Sequence, residues 1–407
     1  MARLTRLLVH CLVISVVASL GIAHAATLYV GPGETYATIQ AGINAAANGN
    51  TVIVRDGIYS GIGNHDIDFK GKAVHLRSEN GPRHCTVDAE GKASAPNRCF
   101  VFKSGEGRGS ILNGFTIKNG FALGNGGGIY CWGSPTIINN IIIGNNAEGY
   151  GGGIYAAGAA SIVNNIIAGN TAHCGGGVTL QGNESVTNNT IFGNSAEWGG
   201  GAISAHKNIG PVVKNSILWN NGASDAIFLE PYSPGPVIST NLTIQHSNVQ
   251  GGRSNVHLGI RCVLTWGSGN IDTDPLFASS ADGDYHLRSE HGRWSPLIGA
   301  WMIDDETSAC IGGGDPMTDY SNQPQPSRRI EMGAYGNTAE ASKSKWVIPG
   351  DADGNSQVDV LDLIFLRNRL GQTVDAADNW KADVNEDGRI NILDLIFARN
   401  RLGTSRP

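Results

Sequence analysis

Two short stretches near the end of the chain repeat one order of oxygen-bearing side chains, the first beginning at Asp351 and the second at Asp383. Each stretch offers side-chain oxygens at positions 1, 3, 5, 9 and 12 and a backbone carbonyl at position 7, which is the ligand order of an EF-hand loop. A calcium ion takes about six to eight such oxygens. The sequence therefore predicts two calcium ions, held by Asp351, Asp353, Asn355, Gln357, Asp359 and Asp362, and by Asp383, Asn385, Asp387, Arg389, Asn391 and Asp394.

An apolar stretch follows each loop and predicts a helix, at residues 360–370 in the first copy and 392–402 in the second. Gly371 and Gly403 come next, and glycine at that place supplies the left-handed residue that ends a helix. Each copy is therefore predicted to be a loop followed by one helix, without a helix ahead of the loop.

Paired loop–helix units of this kind resemble the dockerin family, and the resemblance covers residues 350–403. It implies a cohesin-type protein module as the partner, bound through loop positions 10 and 11. The two copies place nearly the same apolar pair there, so either helix could face the partner: Val360 with Leu361, and Ile392 with Leu393. Position 6 must turn sharply and favours glycine; Gly388 fits, whereas Ser356 in the first loop predicts weaker calcium binding there.

The chain opens with the pattern of a secretory signal peptide. Arg3 and Arg6 precede an apolar run at residues 7–20, and small residues up to Ala25 predict cleavage after that residue. No later stretch reaches the ~20 apolar residues that a membrane helix needs. A net charge of -6 gives no electrostatic support for a nucleic-acid partner. We expect a secreted, extracellular protein that its dockerin partner could hold at a cell surface.

The middle of the chain repeats every 24 to 26 residues, with glycine triplets that begin at Gly126, Gly151, Gly175 and Gly199. A fixed period of short β-rich phrases, punctuated by glycine and asparagine, is typical of a solenoid. Asparagine tolerates the left-handed backbone of a sharp corner. The pattern predicts a parallel β-helix with one stacked ladder of asparagines at Asn119, Asn145, Asn170, Asn194 and Asn220.

The strand after each triplet should alternate between the core and the outside. One inward column is predicted at Ile129, Ile154, Val178 and Ala202, and a second at Cys131, Ala156, Leu180 and Ser204. The outward column between them is predicted at Tyr130, Tyr155, Thr179 and Ile203.

Six cysteines follow the signal peptide, and an exported protein permits disulfides. Proximity in the chain favours two pairs, Cys85 with Cys99 and Cys262 with Cys310. Cys131 is predicted to be a core thiol. It lies about two coils of ~4.8 Å from Cys174, further than a disulfide spans, so this pair is predicted to be unbonded.

These phrases resemble the secreted right-handed parallel β-helix repeat proteins of the pectate-lyase-like superfamily. The resemblance implies an all-β body with an amino-terminal cap helix at about residues 39–47, and closing phrases at 270–277 and 331–335. We therefore expect a signal peptide at residues 1–25, a right-handed parallel β-helix at 26–336, a linker at 337–349 and the small α-helical calcium-binding dockerin at 350–407.

The catalytic patterns of related β-helix enzymes are incomplete in this chain. A polygalacturonase pairs Asn-x-Asp with Asp-Asp, Gly-His-Gly and Arg-x-Lys, but only Asn64 to Asp66 and Asp304 with Asp305 are present. Elimination needs a cation and a basic side chain. Stacking of Asp68 on Asp88 beside Lys70 would offer both, and two solvated turns are the alternative.

Aromatic residues suggest a platform for sugar rings. A column at Tyr150, Cys174 and Trp198 is predicted beside the outward tyrosines, which gives the candidate substrate-binding residues Tyr130, Tyr155 and Trp198. Large side chains that shield turns are the alternative. His173 and Cys174 lack further ligands for a zinc site.

Two functions remain open from the sequence. In the first, the body is a carbohydrate-active enzyme of polysaccharide catabolism, either a polysaccharide lyase or an O-glycosyl hydrolase, carried by the dockerin. In the second, the body is a non-catalytic adhesin or carbohydrate-binding rod displayed through the same module. Neither the sugar nor a set of catalytic residues follows from the sequence.

Overall fold

The computed structural model describes residues 25–206, 210–222, 225–231, 239–324, 329–344, 350–353, 355, 357–372, 379–385 and 389–404. The predicted signal peptide lies outside the described residues apart from Ala25. Among the described residues, no helix has the length and apolar character needed to cross a bilayer.

The body is a parallel β-solenoid in which each coil contributes one short strand to each of several sheets. Sheet 1 has ten strands: Thr27–Val30, Thr51–Val54, His75–Ser78, Ile111–Asn113, Thr136–Ile138, Ser161–Val163, Ser185–Thr187, Val212–Lys214, Asn241–Gln245 and Val263–Trp266. Sheet 2 has eight: Gly57–Tyr59, Cys85–Asp88, Thr116–Lys118, Ile141–Ile143, Ile166–Ala168, Thr190–Phe192, Ile217–Trp219 and Asn248–Val249.

Two further sheets complete the coil before it returns to sheet 1. Sheet 3 has four strands: Phe121–Ala122, Asn146–Tyr150, Thr171–Cys174 and Ser195–Gly199. Sheet 4 has eight: Ile67–Asp68, Phe100–Phe102, Ile129–Cys131, Ile154–Ala156, Val178–Leu180, Ile203–Ala205, Ile227–Leu229 and Val256–Leu258. Two antiparallel hairpins follow, Phe277–Ser279 with Asp284–Leu287 and Arg293–Ser295 with Ala300–Met302, and 3₁₀ turns lie at Gly252–Asn255 and Ser280–Asp282.

Alternate residues of each strand fill the core, as the period of two requires. In the strand Ile129–Cys131, Ile129 and Cys131 are fully buried and the tyrosine between them faces outward. Fully burying one such aliphatic side chain contributes about 1.5–3 kcal/mol, and the stacked coils repeat this gain. The predicted core position of Cys131 is confirmed.

The predicted columns are correct for three coils and wrong for the fourth. Val178 pairs with Ile203 rather than Ala202, so Ile203 belongs to the inward column and Ser204 to the outward column, although Ala202 and Ser204 are buried as well. The fourth coil contains one added residue, which shifts its register. Cys174 pairs with Gly199, and the left-handed corner glycine of this coil is Gly200, the second glycine of its triplet.

The predicted asparagine ladder is correct at Asn145, Asn170 and Asn194, and its next member is Asn221. Asn119 and Asn220 were wrongly placed in it. Both take the preceding left-handed corner position, with φ of 56° and 53°.

A second ladder, not predicted, lies where sheet 1 turns into sheet 2. It is built by Asn140, Asn165 and Asn189, with side-chain bonds of 3.1 and 3.0 Å. Each follows another asparagine in left-handed conformation, so the Asn-Asn dipeptides were the available signal.

The amino-terminal end of the stack is covered by helix α1, Ile39–Ala45, close to the predicted cap. Its buried Ile39 and Ile43 face the first strands, and the Thr38 side chain accepts a hydrogen bond from the Ala41 amide. Thr38 therefore caps the helix that closes this end of the core.

Residues 277–324 and 329–344, here called the return segment, run back along the outside of sheet 2. The Asn188 side-chain amide donates to the Glu331 carbonyl at 3.0 Å, and Ala334 packs with Ile166. The phrase at 331–335 therefore lies beside the stack rather than closing its end. Ser342 is buried and donates to Leu287, so the body extends into the predicted linker.

All six cysteines of the body are buried and unbonded: Cys85, Cys99, Cys131, Cys174, Cys262 and Cys310. The predicted pairs Cys85 with Cys99 and Cys262 with Cys310 are wrong. Cys85 lies in sheet 2 and Cys99 beside a strand of sheet 4, whereas Cys262 precedes the last strand of sheet 1 and Cys310 belongs to the return segment. The prediction that Cys131 and Cys174 are unbonded is confirmed.

The carboxyl-terminal module contains helices α2, Val360–Arg367, and α3, Ile392–Arg399. Gly371 and Gly403 are left-handed, as predicted, although both helices end three residues earlier than expected. A 3₁₀ turn at Asn379–Ala382 precedes the second loop, where the sequence analysis expected no helix.

Candidate functional site

The first predicted calcium loop gathers its carboxylates around one point. Asp351, Asp353 and Asp362 each direct an oxygen so that the three atoms lie within 4.8 Å of one another. Asp362 is fully buried and accepts backbone amides from Ala352 and Asp359, at 2.6 and 2.8 Å. Carboxylates brought this close together repel one another, and a bound cation would neutralise them.

The remaining described ligands of this loop are held by the turn itself. The Asn355 amide donates to Asp351 and Asp353, and its side-chain oxygen accepts the Gln357 amide at 2.9 Å. Asp359 caps α2 by accepting the Leu361 amide. This oxygen-only donor set fits calcium, whose charge would neutralise the clustered carboxylates when bound.

The second loop repeats these bonds. Asp394 is fully buried and accepts amides from Asn385 and Asn391, at 3.2 and 2.8 Å. The Asn391 side chain caps α3 at the Leu393 amide, as Asp359 caps α2 in the first loop. Of the other predicted ligands, Asp387 lies outside the described residues, whereas Asp383 and Arg389 lie within them.

The two halves of the module are bonded to each other symmetrically. The Gly371 amide donates to the Ile390 carbonyl at 2.9 Å, and the Gly403 amide donates to the Val358 carbonyl at 2.8 Å. Each half presents a similar exposed apolar surface at the start of its helix: Val360 and Leu361, 62% and 53% exposed, and Ile392 and Leu393, 57% and 53% exposed.

The predicted aromatic platform is only partly open to solvent. The rings of Tyr130 and Tyr155 stack with centroids 5.4 Å apart, and the Tyr155 hydroxyl contacts Gln181 at 2.9 Å. Tyr155 is only 4% exposed, so its ring offers little face to a ligand. Trp198 is 66% exposed, with its ring 4.8 Å from that of His173.

The predicted column of Tyr150, Cys174 and Trp198 is wrong in its last member. Gly199 pairs with Cys174, and Trp198 stands one position earlier. The same added residue that shifts sheet 4 causes this difference. Cys174 is buried, which raises the pKa of its thiol to about 11.

Sheet 3 forms the floor of a shallow groove beside Trp198. The groove has a volume of about 600 Å³ and is lined by the outward side chains of successive coils. Glu148, His173 and Glu197 project from three of them, and His173 Nδ1 lies 3.0 Å from a Glu197 carboxylate oxygen. Glu148 was not identified from the sequence, because the repeat alone does not reveal this shared face.

The acidic residues considered for elimination are not brought together. Asp68 belongs to sheet 4 and pairs with Lys103 at 3.7 Å, whereas Asp88 belongs to sheet 2 and pairs with Lys118 at 3.3 Å. The predicted stacking of Asp68 on Asp88 is therefore wrong. Asp304 is bound by Arg293 at 3.0 Å.

A buried histidine near the tyrosines was missed by the sequence analysis. The ring of His206 lies 5.1 Å from that of Tyr150 and is 5% exposed. Its Nε2 has no hydrogen-bond partner among the described residues, and burial lowers the pKa of His206 to about 4. His206 is therefore neutral near pH 7.

Comparison with known proteins identifies the carboxyl-terminal module. Residues 349–403 match the family described as "Dockerin type I domain", so this part of the chain is a dockerin type I domain, as predicted. A solved structure described as "Crystal structure of pectate lyase Pel9A" is similar to the chain, with 14% sequence identity and a TM-score of 0.39. The similarity covers 77% of this chain and 97% of that chain. Comparison with curated proteins gives no match.

Proposed function

We propose that this protein is a secreted β-helix protein that acts on a polysaccharide and attaches to a cohesin-type partner through its calcium-dependent dockerin. The proposed docking to a partner is supported by the convergence of Asp351, Asp353 and Asp362 in a segment that matches the dockerin family. Binding of two calcium ions orders the two loops, and the ordered loops fix the residues at which α2 and α3 begin.

The partner binds one of two equivalent apolar surfaces. Val360 with Leu361 and Ile392 with Leu393 are exposed to a similar degree, and symmetric backbone bonds hold the two halves. Changing one pair to aspartate should leave cohesin binding within about tenfold of the original affinity. Changing both pairs should abolish it. Complete loss from one pair alone would contradict two equivalent surfaces.

The proposed binding of a polysaccharide is based on the groove over sheet 3. Trp198 presents an aromatic face to a sugar ring, while Glu148 and the pair of His173 with Glu197 offer polar groups to hydroxyls. Tyr130 is a further candidate contact on sheet 4, where its ring stacks on that of Tyr155 in the next coil. In this proposal Trp198 is the principal sugar contact.

Enzymatic cleavage and simple binding remain the two forms of this function. An enzyme would be a polysaccharide lyase or a glycoside hydrolase. The separation of Asp68 from Asp88, and the pairing of Asp304 with Arg293, favour the second form, a carbohydrate-binding rod displayed through the dockerin.

The test uses the full chain with calcium and a panel of acidic and neutral polysaccharides. Ultraviolet absorbance of unsaturated ends together with new reducing ends indicates a lyase, and reducing ends alone indicate a hydrolase. Binding without cleavage, weakened at least tenfold by Trp198→Ala and unchanged by the exposed control Ile62→Ala, indicates the rod. Neither cleavage nor binding across the panel would overturn the polysaccharide role.

A further inference from the structure

A second cleft lies between sheet 2 and the return segment, apart from the groove over sheet 3. Its volume is about 480 Å³. The floor is formed by Ile141 and Ile166 of sheet 2, one wall by Trp294 and Tyr335 of the return segment, and the rim by Arg83 and His84. Small-molecule sites commonly have this size, with an apolar lining and a few polar groups.

The wall formed by the return segment is held firmly in place. The Asn164 side chain donates to the carbonyls of Ala334 and Gly336, at 2.9 and 2.8 Å. The Tyr335 ring stacks on His286 with centroids 3.7 Å apart. His286 is fully buried between Asp284 and Glu340, at 2.6 and 3.2 Å. The cleft is therefore formed before any ligand arrives, which lowers the entropy cost of binding.

The rim of the cleft carries an exposed cation, Arg83. The Arg83 guanidinium is exposed and donates to the Tyr335 hydroxyl at 3.4 Å, but it forms no ion pair within the described residues. Glu340, the carboxylate that lines the same cleft, is bound by His286, and this hydrogen bond, with a smaller effect from the charge of Arg83, lowers the pKa of Glu340. An arginine can bind a carboxylate through two parallel hydrogen bonds.

We propose that this cleft binds one acidic sugar residue. The sugar carboxylate pairs with Arg83, and the apolar face of its ring packs on Trp294 above the isoleucine floor. The site is a second subsite, distant in the fold from Trp198. The choice of a sugar rests on the proposed function, whereas the choice of an acidic group rests on Arg83 itself.

The test measures binding of trigalacturonic acid and its methyl ester to the full chain by titration calorimetry. We expect the acid to bind at least tenfold more tightly than the ester, which lacks the charge. Arg83→Gln and Trp294→Ala should each weaken binding of the acid at least tenfold, and Arg83→Lys should retain most of it. Equal affinity for acid and ester, or no effect of Arg83→Gln, would overturn the proposal.

Trp198→Ala separates this cleft from the proposed function. It should weaken polysaccharide binding in the groove and leave trigalacturonic acid binding to the Arg83 cleft unchanged. Loss of trisaccharide binding in Trp198→Ala, but not in Arg83→Gln, would place the ligand in the groove and refute the second subsite. A tri-glutamate peptide that binds as tightly as the trisaccharide would refute the assignment to a sugar.

Discussion

The side-chain amide of Asn170 donates a hydrogen bond to the side-chain oxygen of Asn194 at 2.9 Å, and both side chains are fully buried at a corner of the solenoid. Asn170 also accepts from the side chain and the backbone amide of Asn145. Asn145, Asn170 and Asn194 thus join three successive coils through their side chains.

Replacing Asn170 by alanine should destabilise the body clearly. The change leaves amide groups of Asn145 and the Ile142 carbonyl without their partner, at about 1–3 kcal/mol for each buried group. The melting temperature of the solenoid should fall, whereas the exposed neighbour Asn146→Ala should change it little. Equal melting temperatures for the two variants would contradict a structural ladder.

Removing calcium should unfold the dockerin and leave the solenoid folded. The buried Asp362 and Asp394 carboxylates would lose their counter-charge, and calcium binding is coupled to folding of such loops. Hydrogen exchange of the full chain in chelator should rise in α2 and α3, while the strands of sheets 1, 2 and 4 stay protected as the internal control. Continued protection of both helices would contradict calcium-dependent folding.

Replacing Asp383 and Asp394 by asparagine should remove the second calcium ion only. The first set of ligands, which centres on Asp362, is independent of these side chains. Calcium titration should therefore change from two ions per chain to one. Two ions in the variant would refute the assignment of the second loop.

The free energy of unfolding should fall with rising pH because of Glu331. Burial raises the pKa of this carboxyl from 4.5 to about 8, so between these values the folded chain keeps a proton that the unfolded chain has lost. In Glu331→Gln, the decrease of the unfolding free energy between these pH values should be smaller by up to about 1.4 kcal/mol per pH unit. Denaturant melts at pH 5, 7 and 9 measure it, with the exposed Glu290→Gln as control. Parallel curves for all three proteins would contradict the raised pKa.

The six thiols of the body should all be reduced and unreactive while the protein is folded. Burial raises the pKa of Cys85 to about 12, and the other five thiols are buried as well. Iodoacetamide should label none in the native protein and all six after unfolding without reductant. Fewer than six labels, with two hydrogens missing for each absent pair, would reveal a disulfide.

Local patterns in the sequence determined the dockerin and the general form of the body. The predicted calcium ligands lie within single twelve-residue loops, and the left-handed Gly371 and Gly403 follow their own helices within a few residues, so distant residues do not enter the argument. The repeated glycines and asparagines likewise predicted a solenoid, because each forms a corner of its own coil.

Tertiary structure decided which residues stand next to each other in neighbouring coils. One added residue before Gly200 places Ile203 in the inward column and aligns Ser204 with Thr179 in the outward column, and a one-residue difference moves Asn119 and Asn220 out of the ladder. The same dependence on coil geometry separates Asp68 from Asp88. A slip of one residue reverses the inward and outward faces of a strand, so similarity between repeats does not fix their register.

The return segment was also decided by tertiary structure. The Tyr335 hydroxyl accepts a hydrogen bond from Arg83 across 252 positions of the chain, and this contact joins two sides of the cleft that we assign to an acidic sugar. No periodic pattern connects these residues. They meet because the outer face of sheet 2 leaves apolar side chains such as Ile166 and Phe192, which the return segment covers.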